Sequence, residues 1–422
     1  MKQKHKVIAV IVNYNKPYET LRCIEAILQN SQKPSTIIVV DNASTDNSAT
    51  ILQNCHQIEL IINQHNKGGS GGFNTGIEAA LKYNPDYVWL LDDDAYPDTH
   101  YLHFALATFN QYPDTGVVGA QILDIDNHNV IVELGANICW DHIGIIPIAR
   151  REQRVSQHYT LQVDYTAACC MLISRQVLET IGVLKAFYFL HWDDIEFGYR
   201  VNQQGFSVKI NTRAIAFHKL YDQPPLPTIR YYDIRNSFYF YLFDSRHFGM
   251  KLRVIIYDIV WILLTRPFSK KPLDIYILYK VLADLLRGKM GKLDHTDVWC
   301  YKVSRSYHFI LSSYLPLSER IVMANNLSKQ KHSFEVLVQN SAEESKLANQ
   351  FPVRRVNHCL TAHITLLFSN LFGKKVLIST GYYNIQDILF RRRAYYNGHD
   401  LIKKPLSVSI FFNIILNALK KG

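Results

Sequence analysis

Over its first 94 residues the chain switches repeatedly between two hydrophobic periodicities, and this limits the fold more than any other feature. Lys6 to Val12 is a β-branched apolar run that reads as a strand. A loop, Asn13-Tyr14-Asn15-Lys16, follows, and Pro17 then opens a segment with Leu21, Ile24, Ile27 and Leu28 at helical spacing. Thr36 to Val40 reads as a second strand, Ser48 onwards as a short helix, and Glu59 to Ile62 as a third strand. Asn74 to Leu81 reads as a helix leading into a fourth strand, Tyr87 to Leu91. This βαβαβ alternation requires a parallel sheet with helices on its faces. Ligands of such sheets lie beyond the carboxyl ends of the strands, where Asn13, Asp41, Asn63 and Asp92 fall.

The fourth strand ends in Asp92-Asp93-Asp94, and Pro97 stops it from continuing. Three adjacent carboxylates repel one another, and a divalent cation with oxygen ligands, carrying nucleotide phosphates, relieves that repulsion. A solvated acidic turn is the alternative. Between the third strand and the next helix lie Gly68, Gly69, Gly71 and Gly72 after Lys67. This segment reads as a loop whose glycines allow close backbone approach to a phosphate, or as a plain flexible tip. No Lys-Ser/Thr pair follows the last glycine, so it is not a Walker motif.

At 422 residues the chain exceeds one ordinary core, and 48% hydrophobic against 19% charged residues excludes the disordered class. The formal charge of +10 implies anionic partners. With no zinc-finger spacing and no RNA-reading motif, nucleic acid ranks below nucleotide phosphates and an anionic membrane surface. Seven scattered cysteines without a CxxC pair argue against a disulfide framework or zinc site, and so for a reducing cytoplasm. Met1 to Lys6 is basic and runs straight into a strand, unlike a signal peptide. The apolar stretch Val254 to Leu264 contains Asp258 and is too short to span a bilayer. The expectation is a cytoplasmic protein, either soluble or peripheral on the inner face of the membrane.

Four segments in order carry a family resemblance: Val-Asn-Tyr-Asn at 12–15, Asp-Asn-Ala-Ser-Thr-Asp at 41–46, Asn-Lys-Gly-Gly-Ser-Gly-Gly at 66–72 and Asp-Asp-Asp at 92–94. Together they resemble family-two inverting glycosyltransferases of the GT-A fold, over about residues 6 to 245. The resemblance implies an α/β catalytic domain, a Rossmann-like mixed sheet with helices on both faces. It also implies a nucleotide-sugar donor and Mn2+ or Mg2+. Carried over, Asn15, Asp41, Asn66, Lys67, Gly68, Asp92 and Asp93 bind the donor, with Asp41 on the nucleoside. Asp92 and Asp94 hold the metal, and His218, ending the run Ala214 to Phe217, completes its ligands.

The acceptor side is expected from the middle of the chain. Val163 to Ile173 reads as one strand, and Leu178, Ile181 and Gly182 end a short helix. Phe189 to Arg200 then runs into a helix stopped near Gly205. Asp193 and Glu196 have the spacing of a capping box, which leaves Asp194 unexplained. In the family resembled, this position carries the catalytic base, so Asp194 takes that role, with Asp193 beside it in the catalytic pair. Trp192 and His191 are expected to contact the acceptor, although a tryptophan here also suits the core. Tyr232, Arg235 and Asn236 resemble a Tyr-Tyr-x-x-Arg-Asn element of rhamnosyl- and galactofuranosyl-type members. Tyr232 and Arg235 are read as acceptor-side residues, with Arg235 on a phosphate or buttressing the sheet. One departure is Leu184-Lys185, where many members carry an acidic pair.

The catalytic domain is placed at residues 1–245. Residues 246–330 are expected to be helical and basic, fit for an anionic membrane or simply a solvated face. Residues 331–422 read as a small α/β unit with strands at Phe334 to Val338, Val353 to Val356 and Val376 to Ser379. The expected activity is metal-dependent inverting transfer of a sugar to a cell-surface glycan or polyprenyl-linked acceptor. Galactofuranose from UDP-galactofuranose ranks first, and rhamnose from dTDP-rhamnose second. The rivals from other classes are a non-catalytic nucleotide- or glycan-binding protein on a degenerate scaffold, and a nucleotidyltransferase.

Overall fold

The computed structural model describes residues 5–221, 227–253, 272–293, 308–311, 333–338, 351, 353–355, 375–379, 393–396 and 401–403. The chain divides into two compact units, Met1–Met250 with Met290–Lys292, and Lys251–Lys289 with Leu293–Gly422.

The first unit begins with β1 (Val7–Asn13), α1 (Pro17–Leu28), β2 (Thr36–Asp41), α2 (Ser48–Gln53), β3 (Glu59–Ile62), α3 (Gly68–Leu81) and β4 (Tyr87–Asp92). There follow β5 (Tyr96–Pro97), α4 (Tyr101–Gln111), β6 (Thr115–Asp124), β7 (Ile131–Glu133), β8 (Ala136–Ile138), β9 (Ile145–Pro147), β10 (Thr160–Val163) and β11 (Cys170–Ser174). It continues with α5 (Arg175–Ile181), a 3-10 turn (Ala186–Tyr188), α6 (Asp193–Gln203), β12 (Ser207–His218), α7 (Pro227–Tyr239) and a π-helical turn (Phe240–Asp244). A short helix, α8 (Phe248–Arg253), comes next in the chain.

The main sheet runs β10-β12-β6-β11-β4-β1-β2-β3, with β5 on β12 and β7 on β6. Strands β3, β2, β1 and β4 are mutually parallel, as the alternation requires. β11 lies antiparallel between β4 and β6, which makes the sheet mixed. Period-two alternation sorts the strand residues onto two cores. Ile8, Val10, Ile38 and Val40 face Phe73, Ile77 and Ala80 of α3. Val7, Ala9, Ile11, Ile37 and Val39 face Cys23, Ile24 and Ile27 of α1 together with Leu102, Ala105 and Leu106 of α4. The result is an α/β fold with helices on both faces of a mixed sheet, the arrangement expected.

Three local expectations are corrected. The glycine-rich run is not a loop, because α3 starts at Gly68. Packing accounts for two of the glycines of α3: a Cβ on Gly76 would lie 2.2 Å from Val10 Cγ1, and one on Gly72 would lie 2.6 Å from Val12 Cγ1. Gly76→Ala is therefore expected to destabilise the first unit by about 1–3 kcal/mol, read as a lower urea midpoint at unchanged slope. Second, Val163 to Ile173 is two strands, β10 and β11, which pair with different partners. Third, the segment 246–330 is not helical throughout, since residues 308–311 form a strand.

The second unit contains α9 (Pro272–Leu286) and β13 (His308–Leu311), β14 (Ser333–Val338), β15 (Val353–Arg355), β16 (Lys375–Ser379), β17 (Arg393–Tyr396) and β18 (Leu401–Lys403). These strands form one sheet in the order β15-β14-β13-β16-β17-β18, parallel except for β18. Strands are present at the three places where the sequence pattern puts them. The helices expected between them, and the stretch Val254 to Leu264, lie outside the described residues. Among the described residues no helix is long and apolar enough to cross a membrane.

Candidate active site

The carboxyl ends of β1, β2 and β4 converge on one polar cluster. Asn13, at the end of β1, donates from Nδ2 to Asp41 Oδ1 at 2.7 Å, and Ser44 Oγ donates to the same oxygen at 2.5 Å. Asp41 is 1% exposed and so held in one orientation. Asn15 has φ of 58° and accepts from Thr45 N at 2.7 Å, which ties the loop after β1 to the loop after β2. The glycine-rich start of α3 joins the cluster through Asn42, whose Nδ2 donates to Gly68 O at 2.8 Å and Asn66 Oδ1 at 3.3 Å. Lys67 N donates to Asn42 Oδ1 at 3.1 Å, while Lys67 Nζ bonds to Thr75 Oγ1 at 3.0 Å. The residues expected on the donor side thus sit on neighbouring loops at one edge of the sheet.

The acidic triplet splits by side-chain direction. Asp92, Asp94 and His218 bring one ligand atom each to within 4.8 Å of one another. Asp93 turns elsewhere: Oδ2 accepts from Tyr14 N at 3.2 Å and Oδ1 lies 3.3 Å from Lys16 Nζ. Lys16 also reaches Asp94 Oδ2 at 2.7 Å. It is a cation at the triplet that sequence reasoning missed, since one lysine in a loop carries no pattern. His218 Nδ1 bonds to Lys219 O at 3.0 Å, which leaves Nε2, 3.1 Å from Asp94 Oδ1, pointing at the carboxylates. Two carboxylates and one imidazole nitrogen fixed by a backbone carbonyl suit Mn2+ or Mg2+.

Electrostatics fit the same conclusion. Burial, reinforced by Asp94, pushes Asp92 up to about 6, and burial pushes Asp93 up to about 7 against Lys16. Asp94, despite its burial, is held well below the ordinary carboxylate range by His218 and Lys16. His218 is raised: burial opposes its charge, and Asp94 outweighs burial. Without metal the folded chain therefore binds more protons at Asp92 and Asp93 than the unfolded chain between about pH 4 and 7, so these groups lose stability as pH rises. A cation competes with those protons. Mn2+ is expected to bind at least about tenfold more weakly at pH 5 than at pH 8, measured as the thermal shift it produces at each pH.

Opposite the triplet, α6 presents Asp193 and Asp194 in its first turn. A pocket of about 340 Å³ is lined by Asp92, His218, His191, Asp193 and Asp194, together with Glu133 and Arg150. Burial, then the carboxylates of Asp193 and Glu133, raise Asp194 well above the ordinary carboxylate range. Glu133, at the end of β7, accepts from Ala167 N at 3.1 Å. It and Arg150 went unnoticed in the sequence, where neither belongs to a motif and only the fold brings them to the pocket.

The loop entering α6 is unusual. Phe189, His191 and Trp192 have φ of 68°, 61° and 68°, each a conformation that costs a non-glycine residue on the order of 1 kcal/mol or more. Trp192 is the N-cap in left-handed geometry and no side chain caps the helix, so the expected Asp193–Glu196 capping box is absent. Glu196 instead binds Lys185 Nζ at 2.9 Å and Arg200 Nε at 2.8 Å, and Lys185 also reaches Asp244 at 2.8 Å. Lys185, the departure noted in the sequence, thus ties α6 to the π-helical turn.

The residues expected to contact the acceptor separate. His191 lines the pocket and its Nδ1 meets Asp233 Oδ1 at 2.5 Å. Trp192 is 8% exposed and packs against Phe240 and Tyr241. Arg235 is 1% exposed, with its guanidinium on the carbonyls of Tyr188 and Gly291 at 2.8 and 2.7 Å. Tyr232 is buried against Phe189. None of these last three lines the pocket beside Asp194.

Comparison with known proteins shows what the first unit is similar to. Residues 8–182 match the profile described as Glycosyl transferase family 2. The low-salt glycan biosynthesis hexosyltransferase Agl10 of Haloferax volcanii is 27% identical over 206 residues, covering 47% of this chain and 62% of that protein. The dTDP-rhamnosyl transferase RfbF of Shigella flexneri is 21% identical over 302 residues, covering 68% and 97%. The galactofuranosyltransferase GlfT1 of Mycobacterium tuberculosis is 30% identical over 207 residues, covering 47% and 65%. The match to glycosyl transferase family 2 lies within residues 8–182, and there the chain is similar to members of that family.

Proposed function

We propose that this chain is a metal-dependent inverting glycosyltransferase that moves a sugar, galactofuranose as first choice, from a nucleoside diphosphate donor to a hydroxyl of a cell-surface glycan or polyprenyl-linked acceptor. The observation that carries the reading is one pocket lined by Asp92 and His218, which group with Asp94, together with Asp193 and Asp194. Asp92, Asp94 and His218 would hold Mn2+ or Mg2+, whose charge offsets that of the leaving nucleoside diphosphate. Asp41, with Asn15 and Asn66 beside it, orients the nucleoside. Asp194 removes the proton of the acceptor hydroxyl as that oxygen attacks the anomeric carbon. Attack from the side opposite the leaving group inverts the anomeric centre, and the proton ends on the Asp194 carboxylate. Asp193 and His191 border the acceptor.

The sugar choice rests on the relatives named for galactofuranosyl transfer and, as the second reading, on the one named for dTDP-rhamnosyl transfer, 97% of which is covered. The net charge of +10 supports an anionic acceptor or membrane surface. A thermal-shift panel of UDP-galactofuranose, UDP-hexoses and dTDP-rhamnose, with and without Mn2+, tests the donor. Stabilisation by one donor, dependent on Mn2+ and followed by nucleoside diphosphate release, is the expected result. Pyrophosphate release would instead establish a nucleotidyltransferase, and silence to every donor a binding protein on a degenerate scaffold.

A further inference from the structure

The Tyr-Tyr-x-x-Arg-Asn element has no part in the pocket, yet its side chains converge on the segment that leads into the catalytic acids. Tyr188, Phe189 and Leu190 form a tight γ-turn: Leu190 N donates to Tyr188 O at 2.8 Å, and Phe189 has φ of 68° and ψ of −51°. This turn is rare and strained for a residue with a side chain. His191 and Trp192 follow, also with positive φ, and Asp193 comes next. Left alone, such a segment relaxes to commoner backbone angles.

It is pinned from two sides. Asn236 Nδ2, on a residue 0% exposed, lies 2.9, 2.8 and 2.8 Å from the carbonyls of Tyr188, Leu190 and His191. Two hydrogens serve three acceptors, so one bond is shared. Arg235 donates to Tyr188 O and to Asn236 Oδ1 at 2.9 Å, which fixes the amide's orientation. The Tyr232 ring stacks on Phe189, with centroids 5.2 Å apart and planes 22° from parallel. On the other side Gly68 closes against the turn, where a Cβ would lie 2.0 Å from Phe189 O.

We infer that Tyr232, Arg235 and Asn236 are positioning residues: they hold the Tyr188–Trp192 segment in its left-handed conformation and so set where Asp193 and Asp194 stand over the pocket. The inference rests on the proposed role of Asp194 as base. It explains why α7 carries an arginine and an asparagine almost wholly buried and turned onto one turn's carbonyls. A displacement of about 1 Å at a reacting group is enough to lower turnover about 100-fold.

The test uses the full chain and nucleoside diphosphate release from UDP-galactofuranose, or from dTDP-rhamnose where the donor panel selects it. Asn236→Ala is expected to lower kcat per folded molecule about 100-fold, with donor KM and the Kd for UDP and Mn2+ within about twofold of the parent. Phe189→Gly, which adopts positive φ without steric penalty, should recover at least about tenfold of that loss when combined with Asn236→Ala. Arg235→Lys should lie between the parent and Asn236→Ala. A residue that merely stabilises the fold would lower Tm while leaving kcat per folded molecule and the glycine rescue flat, and that result overturns the inference. If Asn236→Ala does not fold, Tyr232→Leu carries the test with the same criteria. An active Asp194→Asn overturns the base assignment and the clamp's purpose with it. An inactive Asp194→Asn beside a normal Asn236→Ala overturns the clamp alone.

Discussion

Asp194→Asn is expected to reduce transfer by about three orders of magnitude while leaving donor and metal binding within about twofold. The size follows from what the substitution removes. Asparagine keeps the shape and the hydrogen bond from Ile195 N, 2.8 Å from Asp194 Oδ1, but cannot accept the acceptor's proton. It also lowers the charge crowded between Asp193 and Glu133, whose carboxylates raise Asp194. The fold should therefore be unharmed, and an increase in Tm would fit the loss of a buried like-charge contact. The check is a single-turnover assay with calorimetric UDP binding in Mn2+ on the same preparation. Full transfer by Asp194→Asn would remove it from the mechanism.

Asp94→Asn is expected to weaken UDP binding in the presence of Mn2+ by at least about 100-fold and to abolish the effect of Mn2+ on stability. Asp94 is the acid of the triplet that reaches both a lysine and a histidine, with Oδ1 3.1 Å from His218 Nε2 and Oδ2 2.7 Å from Lys16 Nζ. Removing its charge weakens one ligand and takes away the negative charge that faces His218 Nε2. Without metal the variant should differ little from the parent in Tm: the lost ion pairs are offset by relief of Asp92, which Asp94 helps to push up. Asp93→Asn is the contrasting substitution. That side chain points to Tyr14 N and Lys16, outside the Asp92, Asp94 and His218 group, so Mn2+ dependence should persist.

The parallel half of the fold was legible because its strands are buried on both faces and its helices on one. Ile8, Val10, Ile38 and Val40 alternate with Val7, Ala9, Ile37 and Val39 between two cores, a pattern that local sequence records directly. The same holds for the Gly205 stop after α6, where φ is 82°. What failed depended on contacts distant in sequence. The glycines of α3 look like a loop because glycine is a poor helix former, and only Val10, Val12 and Phe189 packed against them explain the choice. The spacing of Asp193 and Glu196 fits a capping box, but Lys185 and Arg200 take Glu196. Trp192 and Arg235 stay open in the sequence, between acceptor contact and core for the first and between phosphate and sheet buttress for the second, because nothing local tells a buried side chain from an exposed one; the fold buries both. Glu133, Arg150 and Lys16 lie outside every motif and reach the site only through the fold.

The most direct test of the account is a calorimetric titration of UDP and dTDP into the full chain, with Mn2+ and with chelator, repeated on Asp94→Asn. The expected result is saturable binding of one nucleotide that requires Mn2+ and disappears in the variant. Equal binding with and without metal, or binding undiminished in Asp94→Asn, would contradict the claim that Asp92, Asp94 and His218 hold the cation on which the donor depends.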